Sequence, residues 1–246
     1  MNIIQKDIKA LWRAPMLWLA LALMTFISYW LLWQMIDKYA SLQANFAMLS
    51  NPPTVTNSLW VPYVLLLAKL MMLLVAYSSS FSFAQERGQH TLWYLLINRN
   101  SCVAVIAQKF IAQMVILLFV ALLLVITVVL LSQGGELNAL LVTTSMIGLF
   151  LYIIWLIAMG MMISVISQSS ATAFLASVMI FTMFWMLGGE SVAQEYGVNW
   201  LHLLSPAHHL RWFTQGELSL SSVIYFVIGT CLFFYLAADQ LRPRKS

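Results

Sequence analysis

The sequence predicts an all-α, polytopic membrane protein with six transmembrane helices and both termini on the cytoplasmic side. Composition is the first observation: of 246 residues, 62% are hydrophobic and 8% charged, against about 45–50% and about 25% in ordinary soluble domains. The second is a mean hydropathy of +0.89, and the third is that the charges stand between long apolar runs rather than within them. A soluble enzyme, a disordered chain and a coiled coil are excluded together. The pI near 9.1 rests on 12 Lys+Arg against 8 Asp+Glu. No cluster of bases interleaved with aromatics is present to grip a phosphate backbone, so nucleic acid is not expected as a partner. The basic excess reads as topology.

A helical span needs about 20 apolar residues to cross about 30 Å of hydrocarbon. Between Arg13 and Asp37 no residue carries a charge, which places span 1 at about 15–36. Lys6, Lys9 and Arg13 precede it, but no small-residue cleavage site ends it, so it reads as an anchor rather than a signal peptide. Asn51-Pro52-Pro53 breaks the helix, and span 2 follows at about 60–83 with one charge, Lys69. Span 3 occupies about 103–131 and ends in Ser132-Gln133-Gly134-Gly135. From Asn138 to Gly189 there is no charge at all; as one helix this stretch would be roughly 80 Å long, so it holds two crossings. Ser167-Gln168-Ser169-Ser170 is the hairpin between span 4, about 139–166, and span 5, about 171–187. Span 6 covers about 220–238. The whole chain, 1–246, reads as a single transmembrane domain, opened by a short amphipathic helix at about 2–13.

Orientation follows from Lys and Arg in the short flanks. With the N-terminus inside, nine of the twelve basic residues lie on the inner side and two, Lys38 and Arg211, on the outer; Lys69 lies within a helix. The outer side is acidic, with Asp37, Glu136, Glu190, Glu195 and Glu217. Trp12, Trp60, Tyr63, Trp93, Tyr94, Trp200 and Trp212 sit where an interfacial belt is expected. Cys102 and Cys231 make no disulfide framework.

Catalytic chemistry finds little footing. There is no phosphate-cradling Gly-x-x-x-x-Gly-Lys-Ser/Thr loop and no His-Glu-x-x-His zinc helix. Gly188-Gly189-Glu190-Ser191 is faintly like an intramembrane serine-protease loop, but no transmembrane histidine supplies a base. His202, His208 and His209 share an outer segment with Glu190 and Glu195; imidazole and carboxylate are the ligand types of Zn²⁺ or Cu²⁺, while interfacial polarity accounts for them without a metal. The 15 methionines are spread over every span as packing filler. No enzyme active site, cofactor or metal is therefore expected in this chain. Lys69 falls close to the midplane, about 13 Å along span 2 from Trp60. A charge there costs about 2.5–3.5 kcal/mol on insertion scales and usually faces a partner, a cavity or water, so Lys69 is a candidate for a substrate path.

The inner segment from Ala84 to Ser101 is too apolar for a plain loop. Leu92, Leu95, Leu96 and Arg99 fall at i, i+3, i+4 and i+7, the spacing of a short amphipathic helix along the membrane surface. Its other face would present Glu86, Gln89, His90 and Trp93 to the cytoplasm.

The run Glu86-Arg87…Gln89…Thr91-Leu92…Leu95-Leu96…Lys109 resembles the signature of type-2 ABC exporter permeases. In that family a Glu-Arg-x-x-Gly-Thr-Leu-Glu-Leu-Leu stretch is followed by Pro and then by Gly-Lys at the start of the third span. Here His90, Trp93, Arg99 and Gln108 replace the usual Gly, Glu, Pro and Gly. Leu204-Ser205-Pro206…His209…Phe213…Gly216 is similar to the gliding-motility and nitrous-oxide-reductase-maturation branches. The resemblance implies a permease subunit in the inner membrane that pairs with a second permease subunit, identical or different, among membrane lipid. ATP and Mg would sit in a separate ABC ATPase docked on the cytoplasmic face, with Glu86, Arg87, Thr91, Leu92, Leu95 and Leu96 as the coupling residues. Two other classes stay open: a non-transport membrane scaffold for an ATPase-containing assembly, and an ATPase-independent secondary carrier, which would ordinarily bury acidic or His residues in its spans.

Overall fold

The computed structural model describes residues 5, 8–9, 12–46, 53–88, 102–188 and 201–241. Among the described residues the chain is helical, with no strand. Its principal elements are α1 (Pro15–Phe46), α2 (Val61–Ser80), α3 (Ala84–Gly88), α4 (Cys102–Gln113), α5 (Val115–Ser132), α6 (Ala139–Ile166), α7 (Ser170–Met186), α8 (Pro206–Thr214) and α9 (Leu220–Leu241). A π-helical turn, Thr56–Trp60, leads into α2, and a 3-10 turn, Leu201–Leu204, precedes α8. Among the described residues, five continuous helical stretches are long and apolar enough to cross a membrane: Pro15–Gln43, Thr56–Gly88, Cys102–Ser132, Ala139–Ile166 and Leu220–Leu241. The expected fifth crossing is the shorter apolar helix α7, of 17 residues, about 26 Å at 1.5 Å per residue.

Local chemistry sets these boundaries. Pro15 begins α1, where a missing N–H costs nothing. The helix runs past its expected end near residue 36 because Asp37 to Phe46 contains no Pro or Gly to stop it. Asn138 caps α6 by accepting from the Leu140 and Leu141 N–H groups at 3.1 and 3.3 Å. Ser169 and Thr172 form a capping box at the start of α7, so the serine-rich break makes the tight α6–α7 hairpin. The expected third span is the continuous stretch Cys102–Ser132, with one irregularity that divides it into α4 and α5. At Met114 the N–H is shared between the Phe110 and Ile111 carbonyls at 3.2 and 3.1 Å, and Leu117 N–H reaches the Met114 carbonyl at 2.9 Å. This is a one-turn tightening toward 3-10 geometry.

Side-chain contacts fix the directions of the helices. The Asn138 N–H donates to Thr56 Oγ1 at 3.0 Å where α2 and α6 begin, and Ser164 donates to the Ser80 carbonyl at 3.3 Å where they end, so these two run parallel. Tyr77 meets Phe174 and Tyr152 meets Trp185 edge-on, which sets α7 antiparallel to both. Cys102 Sγ approaches the Leu241 carbonyl at 3.6 Å, bringing the start of α4 to the end of α9. The apolar helices thus alternate in direction along the chain.

Helix α6 is the central post, packed against α2, α7, α8 and α9, with Leu149, Tyr152, Ile153 and Ile157 fully buried. Lipid tails are as apolar as leucine, so burial alone does not hold helices together in a bilayer; close approach at small residues does. A Cβ on Gly160 would collide with Ser79 of α2, on Gly148 with Phe213 of α8, and one on Gly229 of α9 with Trp155. Gly160→Leu is therefore expected to force α2 from α6 and lower the melting temperature in detergent, as overpacking costs typically about 1–3 kcal/mol. Ser79→Gly combined with Gly160→Ala should recover most of the loss; melting unchanged by Gly160→Leu would show that the two helices do not rely on this contact.

Candidate functional site

The C-terminal end of α2 concentrates buried polar groups at a helix terminus. Ser78, Ser79 and Ser80 are all buried, and each hydroxyl bonds back to the carbonyl three residues earlier, at 3.1, 3.3 and 2.7 Å. These bonds leave the final carbonyls of the helix to find other donors, since a helix end has no intrahelical partners for them. Three side chains from other helices reach these carbonyls or the turn that follows them. Lys109 Nζ of α4 donates to the Ser82 carbonyl at 2.7 Å. Gln113, one turn further along α4, donates Nε2 to the Ser78 carbonyl at 3.4 Å. The Ser164 hydroxyl of α6 donates to the Ser80 carbonyl and accepts from the Phe83 and Ala84 N–H groups at 3.1 and 3.0 Å.

Lys109 is the pivot of this cluster. Its side chain is 2% exposed, and Nζ also lies 3.0 Å from Glu86 Oε2 and 5.0 Å from the centroid of the Phe83 ring. The ammonium thus meets the negative end of the α2 dipole, a carboxylate and an aromatic face. Glu86, on α3, is buried; it turns inward to Lys109 rather than standing on the cytoplasm-facing side of an amphipathic helix. Arg87 beside it donates to the Ile166 carbonyl at 3.3 Å, satisfying the end of α6. The first two residues of the expected coupling set therefore tie the turn after α2 to α4 and α6. Thr91, Leu92, Leu95 and Leu96 lie outside the described residues, as does most of the expected N-terminal amphipathic helix.

Lys69 is elsewhere. It lies in the middle of α2, exposed, and among the described residues it makes no hydrogen bond or ion pair.

The segment before α9 forms a second cluster at the opposite end of the helices. Ser205 caps α8 by accepting from the Ala207 N–H at 3.2 Å, and Pro206 takes the first helical position. Gly216, with φ +86°, closes α8 in the left-handed conformation while the Glu217 N–H reaches back to the Trp212 carbonyl at 3.1 Å. Phe213 packs onto Gly148. His209 is 6% exposed. Its Nε2 lies 2.9 Å from the Leu203 carbonyl and its Nδ1 3.0 Å from Ser222 Oγ. A carbonyl can only accept, so Nε2 carries the proton and the Ser222 hydroxyl donates to Nδ1. The imidazole stacks on Tyr225 at 4.1 Å, whose hydroxyl donates to the Leu204 carbonyl at 2.6 Å. His202 and His208 pack edge-on, and Trp212 Nε1 donates to His208 Nε2 at 3.3 Å. These imidazoles pack and hydrogen-bond among themselves and with their neighbours, and among the described residues no three His, Cys, Asp or Glu converge on a metal position; Glu190 and Glu195 lie outside the described residues. Every residue of the second sequence motif thus has a structural task in closing α8 onto α6 and α9. Of the residues that sequence reading passed over, Ser164 and Gln113 carried no signal, whereas the serine triplet at the end of an apolar helix did.

Residues 1–238 match the family model described as ABC-2 family transporter protein. No curated protein matches the chain.

Two outcomes test this geometry. Lys109→Met leaves the Glu86 carboxylate buried without its cation, and breaking one side of such a pair costs about 3–5 kcal/mol; Lys109→Met with Glu86→Gln should be markedly less destabilised than Lys109→Met alone in thermal unfolding. Equal losses would show that the pair is not coupled. Burial pushes the His209 imidazole below its ordinary 6.5, with the Leu203 carbonyl partly opposing and His202 adding to the depression. The native state therefore holds His209 neutral while the unfolded chain takes up the proton, so stability is complete above about pH 6.5 and falls as pH drops below it. His209→Gln should flatten that pH dependence; an unchanged slope would place the titration elsewhere.

Proposed function

The chain belongs to the ABC-2 family of transporters, and from that premise we propose that it is one permease subunit of an inner-membrane ABC exporter, driven by an ATPase supplied in trans. As a multi-pass transmembrane component of an ABC transporter it needs a motor, and its sequence holds no phosphate-cradling loop. Family membership implies an ABC ATPase as partner. In our reading, ATP and Mg belong to that chain, two ATPases serve two permease subunits in a closed two-fold assembly, six helices cross the membrane, and both termini face the cytoplasm with the ATPase. The motif of the α8 segment favours the gliding-motility and nitrous-oxide-reductase-maturation branch.

The observation that carries the coupling half of this proposal is the buried Glu86–Lys109 pair at 3.0 Å. Its two residues flank the segment 89–101, Glu86 on α3 before it and Lys109 about two turns into α4 after it. We assign the ATPase contact to that segment, through Thr91 and Leu92, with Leu95 and Leu96 against the bilayer. Glu86 and Arg87 then act one step behind it. A push on the segment is carried through Glu86 to Lys109 and the end of α2, and through Arg87 to the end of α6. Closure of the ATPases around ATP is the differential ligand that selects one arrangement of these ends. In this reading Lys69 lines the path that the movement opens and closes. A scaffold without transport and an ATPase-independent carrier are the rival readings; the absence of any Asp, Glu or His in the apolar cores of the spans counts against the carrier.

Co-purification with the ATPase and measurement of its stimulation separate these readings. Thr91→Arg with Leu92→Asp should weaken ATPase binding by about tenfold or more while insertion into the membrane is unchanged. Glu86→Gln should leave the ATPase bound but lower its stimulation by the permease. Wild-type binding and stimulation in both variants would mean that the segment is only interfacial; co-purification without any ATP-driven substrate movement would favour the scaffold.

A further inference from the structure

We propose that the face shared by α2 and α7 receives an anionic amphiphile, with Lys69 holding its acidic head at mid-membrane depth; this rests on the reading that Lys69 lines the substrate path, and names its substrate class. Within the apolar stretch Thr56–Gly88, helical rise puts Lys69 about 20 Å from the first residue and about 29 Å from the last. It is exposed there and, among the described residues, has no hydrogen-bond or ion-pair partner. A bare ammonium at that depth carries an insertion cost of about 2.5–3.5 kcal/mol, so something has to lie against it.

The apolar spans of a second copy of this chain have no carboxylate to offer. No Asp or Glu occurs within residues 14–36, 60–83, 103–131, 139–187 or 220–238, and copies related by an axis along the membrane normal meet at equal depths. They would instead bring a second Lys69 to the same level, which raises the demand for an outside anion. In this proposal the counter-charge comes from a bound molecule.

The surroundings say what kind. Along α2 the stripe continues from Lys69 to Leu73, 52% exposed, and then to Tyr77, whose ring touches Phe174 of α7 at 6.4 Å. Eight residues back along α2 and eight forward along α7 from that contact, about 12 Å each, Lys69 falls level with the turn carrying Thr182 and Met183. The exposed stripe of α7 is Leu175, Met179, Thr182, Met183 and Met186, a soft, adaptable apolar surface with one hydroxyl. A cation set in a thioether-rich wall fits a molecule with a phosphate or carboxylate head and a hydrocarbon body, and offers little to a hydrophilic solute.

The test uses the full chain with its ATPase, reconstituted in phosphatidylcholine and probed with photoactivatable phosphatidic acid. Label is expected on α2 and α7 around Lys69 and Met183, competed by phosphatidic acid and not by added phosphatidylcholine. Lys69→Met should lower the labelling about tenfold, and Lys69→Arg should keep it. Labelling that ignores Lys69→Met, or that phosphatidylcholine competes equally, overturns the substrate class. The path reading is scored separately with Leu73→Cys or Met179→Cys, in a background of Cys102→Ser and Cys231→Ser. ATP-dependent access of a water-soluble maleimide, with no Lys69-dependent lipid labelling, defeats the anionic amphiphile but leaves the path standing. No access in any state defeats the path as well.

Discussion

The terminus of α2 is the constraint on which the rest of that end of the helices depends. A helix that stops within or beside a bilayer exposes carbonyls that water does not freely reach, and unsatisfied backbone groups are costly there. This chain answers with a cation and two neutral donors drawn from α4 and α6: Lys109, Gln113 and Ser164. Because the same three residues must be held at those carbonyls, the ends of α2, α4 and α6 occupy one fixed arrangement. Glu86 neutralises the buried ammonium, so the turn after α2 cannot shift without exposing a charge or releasing a helix end. That interdependence makes the cluster suited to transmitting displacement rather than absorbing it.

The packing above the cluster has the same character. Contact between α2 and α6 depends on Gly160 lying against Ser79, and α9 reaches α6 through Gly229 and Trp155. Close backbone approach substitutes for the hydrophobic drive that a bilayer lacks. The opposite end is closed by α8, whose buried His209 joins the Leu203 carbonyl to Ser222 at the start of α9. The α6 post is therefore pinned at both ends by polar bonds and along its length by small residues. Movement of the α2 and α6 ends is thus expected to travel as a rigid-body shift rather than as local bending.

Much of this was legible in the sequence, for physical reasons that differ by element. Helix α6 runs from Ala139 to Ile166 as expected, because Asn138 is a strong cap and Ser167 ends the apolar run with an extended residue. The capping box at Ser169 likewise wrote the α6–α7 hairpin into four letters. The break at Met114 was not legible: Val, Leu and Ile on either side continue the apolar pattern, and only the backbone hydrogen bonds reveal it. Helix α8 buries Pro206, His209, Leu210 and Phe213 at helical spacing, but His209 on that face is polar, so the apolar period is interrupted and the segment resembles a polar connection before the last span. The direction of Glu86 is the instructive difference. Spacing along one helix put it among polar residues facing the cytoplasm, whereas its partner, Lys109, lies on another helix and no periodicity within Ala84–Ser101 contains it. The motif recorded both residues as a pattern; the structure supplies the ion pair that joins them.

Our central claim is that this pair carries ATPase motion into the helix ends. Hydrogen exchange in the reconstituted complex, with and without ATP, measures it most directly at the amides of Phe83 to Gly88 and the first turns of α4. The account expects ATP to change exchange in both segments together, and expects Lys109→Met to abolish the change in α4 while the ATPase remains bound. A response confined to residues 89–101, or one that survives intact in Lys109→Met, would contradict it.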